Sequence, residues 1–257
     1  MTDLIRPRPL TNPDFRLVVF HHAAGSSSTY FGLSRHMPPN AEMLLLDLPG
    51  RGKRHRQRPE STMEGIVGSV LRDLDGFLDR PLALFGHSLG AVIAFEVAAA
   101  LQARGCPAFW LGVSGRQGPS HVSARRGLQD LPAPALMAEL MALGGMPERF
   151  LEVPDFLEIV LRNARADFAA IDHYLADPAR SPLDLPVTAF AGRQDPWAPP
   201  AVMECWGEET TRSFSLHEYD GGHFYFMGQT FPVLADRVME EIMAAYSARP
   251  ALCAAVS

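Results

Sequence analysis

The sequence predicts an α/β fold in which a mostly parallel sheet is covered by helices. Three observations carry this. Short apolar segments rich in Val, Leu and Phe alternate with longer stretches of helical period. Each apolar segment ends in a turn signal. A Gly-x-Ser-x-Gly motif at residues 86–90 lies directly between one such segment and an Ala-rich helical stretch.

The strand candidates are residues 16–20, 43–48, 82–85, 108–113, 187–191 and 213–219. Between 61 and 78 the apolar residues Ile66, Val67, Val70, Leu71, Leu74, Phe77 and Leu78 fall on one helical face. Ser61 and Glu64 form a candidate capping box at its start. A second helix is expected over 89–104, stopping at Gly105, and a last one over 231–246, followed by an apolar, patternless tail expected to be disordered. The segment 118–186 breaks the alternation. It contains two helical stretches, 134–143 and 154–175, divided by Gly144, Gly145 and Pro147. With no strand candidate inside it, this segment is expected to be a helical lid over the carboxyl edge of the sheet, where open α/β sheets bind ligands. The expected organisation is one domain, 1–257, with that insertion.

Of the 257 residues, 47% are apolar and 20% charged, which suits a folded globular chain. The formal charge of -6 gives no global basic field for nucleic acid and no polybasic membrane anchor. The apolar run 91–101 is interrupted by Glu96 and is too short to cross a bilayer. Asp3 and several prolines stand where a signal peptide needs an unbroken apolar stretch. Cys106, Cys205 and Cys253 have neither disulfide-framework nor zinc spacing. A cytoplasmic monomer that does not bind membranes is the expectation.

Chemistry concentrates at three places. In Gly86-His87-Ser88-Leu89-Gly90 the strand-to-helix turn is so tight that side chains at its two flanks would collide with backbone. Ser88 is thereby lifted above the sheet edge at a helix N-terminus, where developing negative charge is favoured. After the strand ending at 191 comes Gly192-Arg193-Gln194-Asp195-Pro196, and after the strand ending at 219 comes Asp220-Gly221-Gly222-His223-Phe224. Nucleophile, acid and histidine thus follow in the order required, each in a loop after a successive strand. Ser88 is assigned as nucleophile, His223 as general base and Asp195 as the residue orienting it. Asp220, which would otherwise cap the Gly221-Gly222 turn, is the competing acid, and a third carboxylate, Asp167, lies in the insertion.

The oxyanion requires two donors, expected from the backbone N–H of Leu89 and of Ala23 in the loop after the first strand. The adjacent His21 and His22 on that strand end point in opposite directions, and no third ligand is in view, so no metal is expected and no cofactor is implied. A thioester suits this machinery because a thiol with a reference pKa of about 8.5 leaves readily as thiolate.

Read together, these residues resemble the type II thioesterases that accompany polyketide synthases and nonribosomal peptide synthetases, a family with the α/β-hydrolase fold. The resemblance covers nearly the whole chain. It rests on residues 20–25, Leu48-Pro49-Gly50-Arg51, residues 81–90, Leu143-Gly144-Gly145-Met146-Pro147, Arg165-Ala166-Asp167-Phe168 and Gly221-Gly222-His223-Phe224. It implies hydrolysis of acyl or aminoacyl groups wrongly loaded on the phosphopantetheine arm of acyl or peptidyl carrier proteins, as in antibiotic biosynthesis. Ser88, Asp195 and His223 match the family triad, and Asp167 matches a recurrent acid. His22 and Ser26 stand where the family usually has proline and glycine.

Met137, Met141 and Met146 are candidates for lining an adaptable acyl channel, or else pack the insertion against the core. The basic run 51–58 is either a solvated loop or a dock for an acidic carrier protein. The rival activity on the same triad is a carboxylesterase or lipase on free esters. A ligand-holding protein without turnover, an acyltransferase and a haloperoxidase-like enzyme also use this kind of fold.

Overall fold

In the computed structural model, residues 3–121, 125–145 and 154–249 are described. The tail from 250 onward and Met146 lie outside them. Six strands form one all-parallel sheet in the order β2-β1-β3-β4-β5-β6, with β1 Phe15–Phe20, β2 Ala41–Leu46, β3 Leu82–His87, β4 Trp110–Ser114, β5 Val187–Gly192 and β6 Phe214–Tyr219. The helices are α1 Met63–Leu74, α2 Leu89–Ala103, α3 Ala133–Ala142, α4 Pro154–Asp172, the single turn α5 Pro200–Met203, and α6 Phe231–Ser247.

Every residue of β1 to β5 is buried, which is why these segments read as continuous apolar runs without alternation. Successive side chains serve two different cores. Val18, Phe20, Leu44, Leu46, Leu82 and Leu84 pack with α1, α2 and α4. Leu17, Val19, Met43, Leu45, Ala83 and Phe85 pack with α6 on the opposite face. Helix α2 is buried almost all round, in keeping with its Ala-rich sequence. Its charged residue, Glu96, is held by Arg180 and Tyr174.

Several boundaries differ from the sequence reading, and at two of them a side chain shows why. Strand β2 starts and ends two residues earlier than expected, because the chain leaves the sheet at Asp47, whose Oδ1 accepts the N–H of Ser27 at 2.8 Å. The cap of α1 is Thr62, not Ser61: Thr62 is extended at φ −128° and its hydroxyl accepts the N–H of Gly65 at 3.2 Å. Glu64 therefore stands one place too early for a capping box. Thr62→Ala is expected to cost about 1 kcal/mol, read as a lower urea midpoint at unchanged slope.

The strand order reverses direction between β1 and β3, which makes the crevice beyond their carboxyl ends the place for a ligand. Phe20 pairs with Gly86 across this point, so the turns leaving β1 and β3 are neighbours. Between β4 and β5 lie α3 and α4, with no named strand among the described residues, and α4 ends at Asp172, three residues short of expectation. Among the described residues no helix is long and apolar enough to cross a membrane.

Candidate active site

Ser88 occupies the turn from β3 into α2 with φ 57° and ψ −117°, a conformation that side-chain-bearing residues seldom adopt. The two glycines beside it make the turn possible. A Cβ on Gly86 would lie 1.9 Å from the carbonyl oxygen of Gly90, and one on Gly90 would lie 2.2 Å from that of Phe20. The collision anticipated from the motif is therefore real on both sides. Ser88 N–H donates to the Ser114 carbonyl at 2.8 Å, continuing the β3–β4 ladder into the turn. Leu89 is the first residue of α2, so its N–H has no acceptor within the helix.

The loops after β5 and β6 bring in the other two residues. His223 and Asp195 are each 2% exposed, and the Nδ1–H of His223 donates to Asp195 Oδ2 at 2.8 Å. The other carboxylate oxygen, Oδ1, accepts the N–H of Trp197 at 2.8 Å. Burial opposes ionisation of Asp195, but the hydrogen bond and charge of His223, with the amides of Trp197 and Ala198, outweigh it and hold the carboxyl below its usual range. An ionised Asp195 keeps the proton on Nδ1 and leaves Nε2 as the basic nitrogen.

Asp220 is excluded from this position. Its side chain is 88% exposed and accepts from Arg193 at 2.9 Å, while the N–H of Gly221 is taken by Gln194 Oε1.

Ser88 and His223 share a pocket with His22, Ala23, Ala24, Trp197 and Phe224. Its remaining wall comes from the segment between β4 and β5: Leu140, Leu143, Gly145 and Phe168. Of the candidate methionines, Met137 and Met141 are not among the residues that line this pocket. Leu136 and Leu140 lie one turn apart on α3, with Leu143 at its C-cap, while Met137 is buried and Met141 half-buried. Met146 lies outside the described residues.

His21 and His22 diverge, as adjacent residues of extended chain should. The Nδ1–H of His21 donates to the His22 carbonyl at 2.8 Å while its Nε2 accepts the N–H of Leu48 at 3.3 Å. His22 turns to the hydroxyl of Tyr30 at 3.1 Å and packs edge-on against Phe224. The basic run also divides. Arg51 and Arg54 are interior, Arg51 forked onto Asp167 and Arg54 bonded to Asp73 and Ser69, leaving Lys53, Arg56 and Arg58 exposed.

Three contributions were not anticipated. His87, inside the motif itself, is fully buried with its ring 4.8 Å from that of His223, and it shares a chain of hydrogen bonds with Ser114 and Tyr225. Trp197 both donates to Asp195 and sets its ring 5.2 Å from His223. Phe168 closes the pocket from α4. Only Trp197 carried a usable signal, as the residue after the Asp-Pro turn.

The chain matches the family model described as "Thioesterase domain" over residues 15–245. It is 37% identical over 233 residues to the thioesterase PikA5 of Streptomyces venezuelae, covering 90% of this chain and 82% of that protein. Among solved structures it resembles the RedJ thioesterase of the prodiginine pathway in Streptomyces coelicolor, with TM-score 0.83, 34% identity and 91% of each chain covered. It also resembles YbtT, a type II thioesterase from the yersiniabactin nonribosomal peptide and polyketide pathway, with TM-score 0.82, 26% identity, and 95% and 99% of the two chains covered. A parallel sheet with a strained serine at its switch point and this breadth of likeness have one reading: the chain belongs to the thioesterase family, as a serine thioester hydrolase of the α/β-hydrolase fold similar to the type II enzymes of polyketide and nonribosomal peptide pathways.

Proposed function

We propose that this enzyme removes acyl or aminoacyl groups from the phosphopantetheine arm of carrier proteins, using Ser88, His223 and Asp195, as a cytoplasmic monomer. In this reading the chain is one domain, and the segment 118–186 is a lid whose α3 and α4 residues shape the acyl site. The observation that carries it is the convergence of the loops after β3, β5 and β6 on one pocket, with a buried His223–Asp195 pair at 2.8 Å.

Ser88 Oγ attacks the thioester carbonyl as its proton passes to Nε2 of His223, and Asp195 stabilises the imidazolium. The amides of Ala23 and Leu89 receive the oxyanion. Collapse breaks the C–S bond, and the thiolate takes the proton from His223. Water then adds to the acyl-serine by the same base, releasing the acid and restoring Ser88. The wall of Leu140, Leu143, Phe168 and Phe224 suits an apolar acyl group. Lys53, Arg56 and Arg58 are the exposed remainder of the basic run available to an acidic carrier surface.

The test compares acyl release from a loaded carrier protein with cleavage of a matched oxygen ester. The carrier thioester is expected to be preferred at least about 10-fold in kcat/KM, which corresponds to roughly 1.4 kcal/mol of transition-state discrimination. Faster cleavage of the free ester would instead identify a carboxylesterase.

A further inference from the structure

We infer that Asp167, paired with Arg51, is a positioning residue that holds the oxyanion turn from across the pocket. This rests on the proposed role of the Ala23 amide.

Asp167 lies in α4 and is 1% exposed. Its Oδ1 and Oδ2 each accept from Arg51, through Nη2 and Nη1, at 2.8 Å. Oδ2 also accepts the backbone N–H of Ala24 at 2.8 Å, and Arg51 Nη1 donates a further bond to the Gly25 carbonyl at 3.2 Å. One buried ion pair thus grips the turn after β1 by an amide and the next carbonyl. Arg51 in turn stands in a loop secured to α4 by Asn163, whose Nδ2 donates to the Gly50 carbonyl at 3.0 Å.

What is gripped is strained. Ala24 has φ 59°, and it and Ser88 are the two non-glycine residues with positive φ among those described. Both line the same pocket. A strained residue persists when its surroundings over-determine it, and the carboxylate bonded to the Ala24 amide supplies that restraint. The restraint also sorts the donors of the turn. The amide of Ala24 is committed to Asp167 and that of Gly25 to the His22 carbonyl at 3.1 Å, so the Ala23 amide is the one left for a developing oxyanion. Without Asp167, Ala24 can relax to negative φ, which rotates the adjoining peptides and turns that amide away. The segment between β4 and β5 therefore does more than wall the acyl site: it braces half of the oxyanion hole.

The experiment removes both charges together, because losing one alone strands the other in the interior. Asp167→Leu combined with Arg51→Met keeps apolar bulk but deletes the acceptor for Ala24 N–H. Using an acyl N-acetylcysteamine thioester, kcat is expected to fall about 10²-fold with KM within about 2-fold, the signature of one lost oxyanion donor. Binding of a matched trifluoromethyl ketone, which forms a tetrahedral oxyanion on Ser88, should weaken by the same factor. Arg51→Lys, which retains the charge but not the fork, should show the same split at about 10-fold, and serves if the double variant does not fold. A folded variant with unchanged kcat and ketone affinity would reduce the pair to a structural contact and overturn the inference. If wild type itself failed to bind the ketone, the assignment of the oxyanion hole would fall instead.

Discussion

Asp195→Asn is expected to lower kcat on a thioester by about 10⁴-fold while leaving the fold and KM nearly intact. Asparagine preserves the volume and can still accept the Trp197 N–H through its carbonyl oxygen. Its NH2 group then faces Nδ1 of His223 and favours the tautomer with the proton on Nε2, the nitrogen that must accept from Ser88. Nothing else in the pocket substitutes for the lost charge, since the nearby rings of His87, Trp197 and Phe224 are neutral. Asp220→Asn provides the contrast. That side chain is exposed and paired with Arg193, and its loss should change kcat by no more than about twofold. Ser88→Ala should reduce turnover at least as far as Asp195→Asn and abolish labelling by a fluorophosphonate. Wild-type turnover in Asp195→Asn with loss in Asp220→Asn would reverse the choice of acid.

The choice between these two acids shows where sequence reading ends. Both follow a strand and both stand in a turn that contains glycine, so local pattern admits either. Burial separates them, and burial depends on how the β5 and β6 loops fold against each other. The sheet was legible because strands covered on both faces read as unbroken apolar runs, and Ser88 because the collision at Gly86 is set by backbone four residues away, although the one at Gly90 comes from the distant Phe20 carbonyl. The ends of β2 and α1 moved by one or two residues, since side chains of Asp47 and Thr62 decide where the chain turns away. Arg51 was hidden for a different reason. Within a basic run it looks like surface charge, and its partner Asp167 lies 116 positions away. The same distance problem applies to the pocket wall, where Leu140 and Leu143 rather than Met137 or Met141 line the pocket with Ser88.

Mild acid should destabilise this enzyme, beginning above the pH at which its carboxylates titrate. His21, His22 and His87 are buried and stay neutral in the fold. Burial pushes His21 down to about 4, with the nearby Arg51 charge adding to it. Burial, then the charges of neighbouring histidines, hold His22 and His87 well below the usual value. The hydrogen bonds agree, since protonating His21 would leave two donors, Nε2–H and Leu48 N–H, facing each other. In the unfolded chain each histidine titrates near 6.5. With the folded pKa below the unfolded one, the stabilisation is complete above pH 6.5 and is lost as the pH falls through the window down to about 4. Each such group costs stability as the pH falls below 6.5, and the three together are expected to remove on the order of a few kcal/mol between pH 7.5 and 5.5. That is a large part of the roughly 5–15 kcal/mol that holds a typical domain folded. Urea unfolding at pH 7.5, 6.5 and 5.5 reads this directly. His87→Asn, which keeps a partner for Ser114 but does not titrate, should make the loss measurably smaller. A stability that is flat from pH 7.5 to 5.5 would mean that these histidines protonate within the fold, and the buried neutral layer beneath His223 would have to be abandoned.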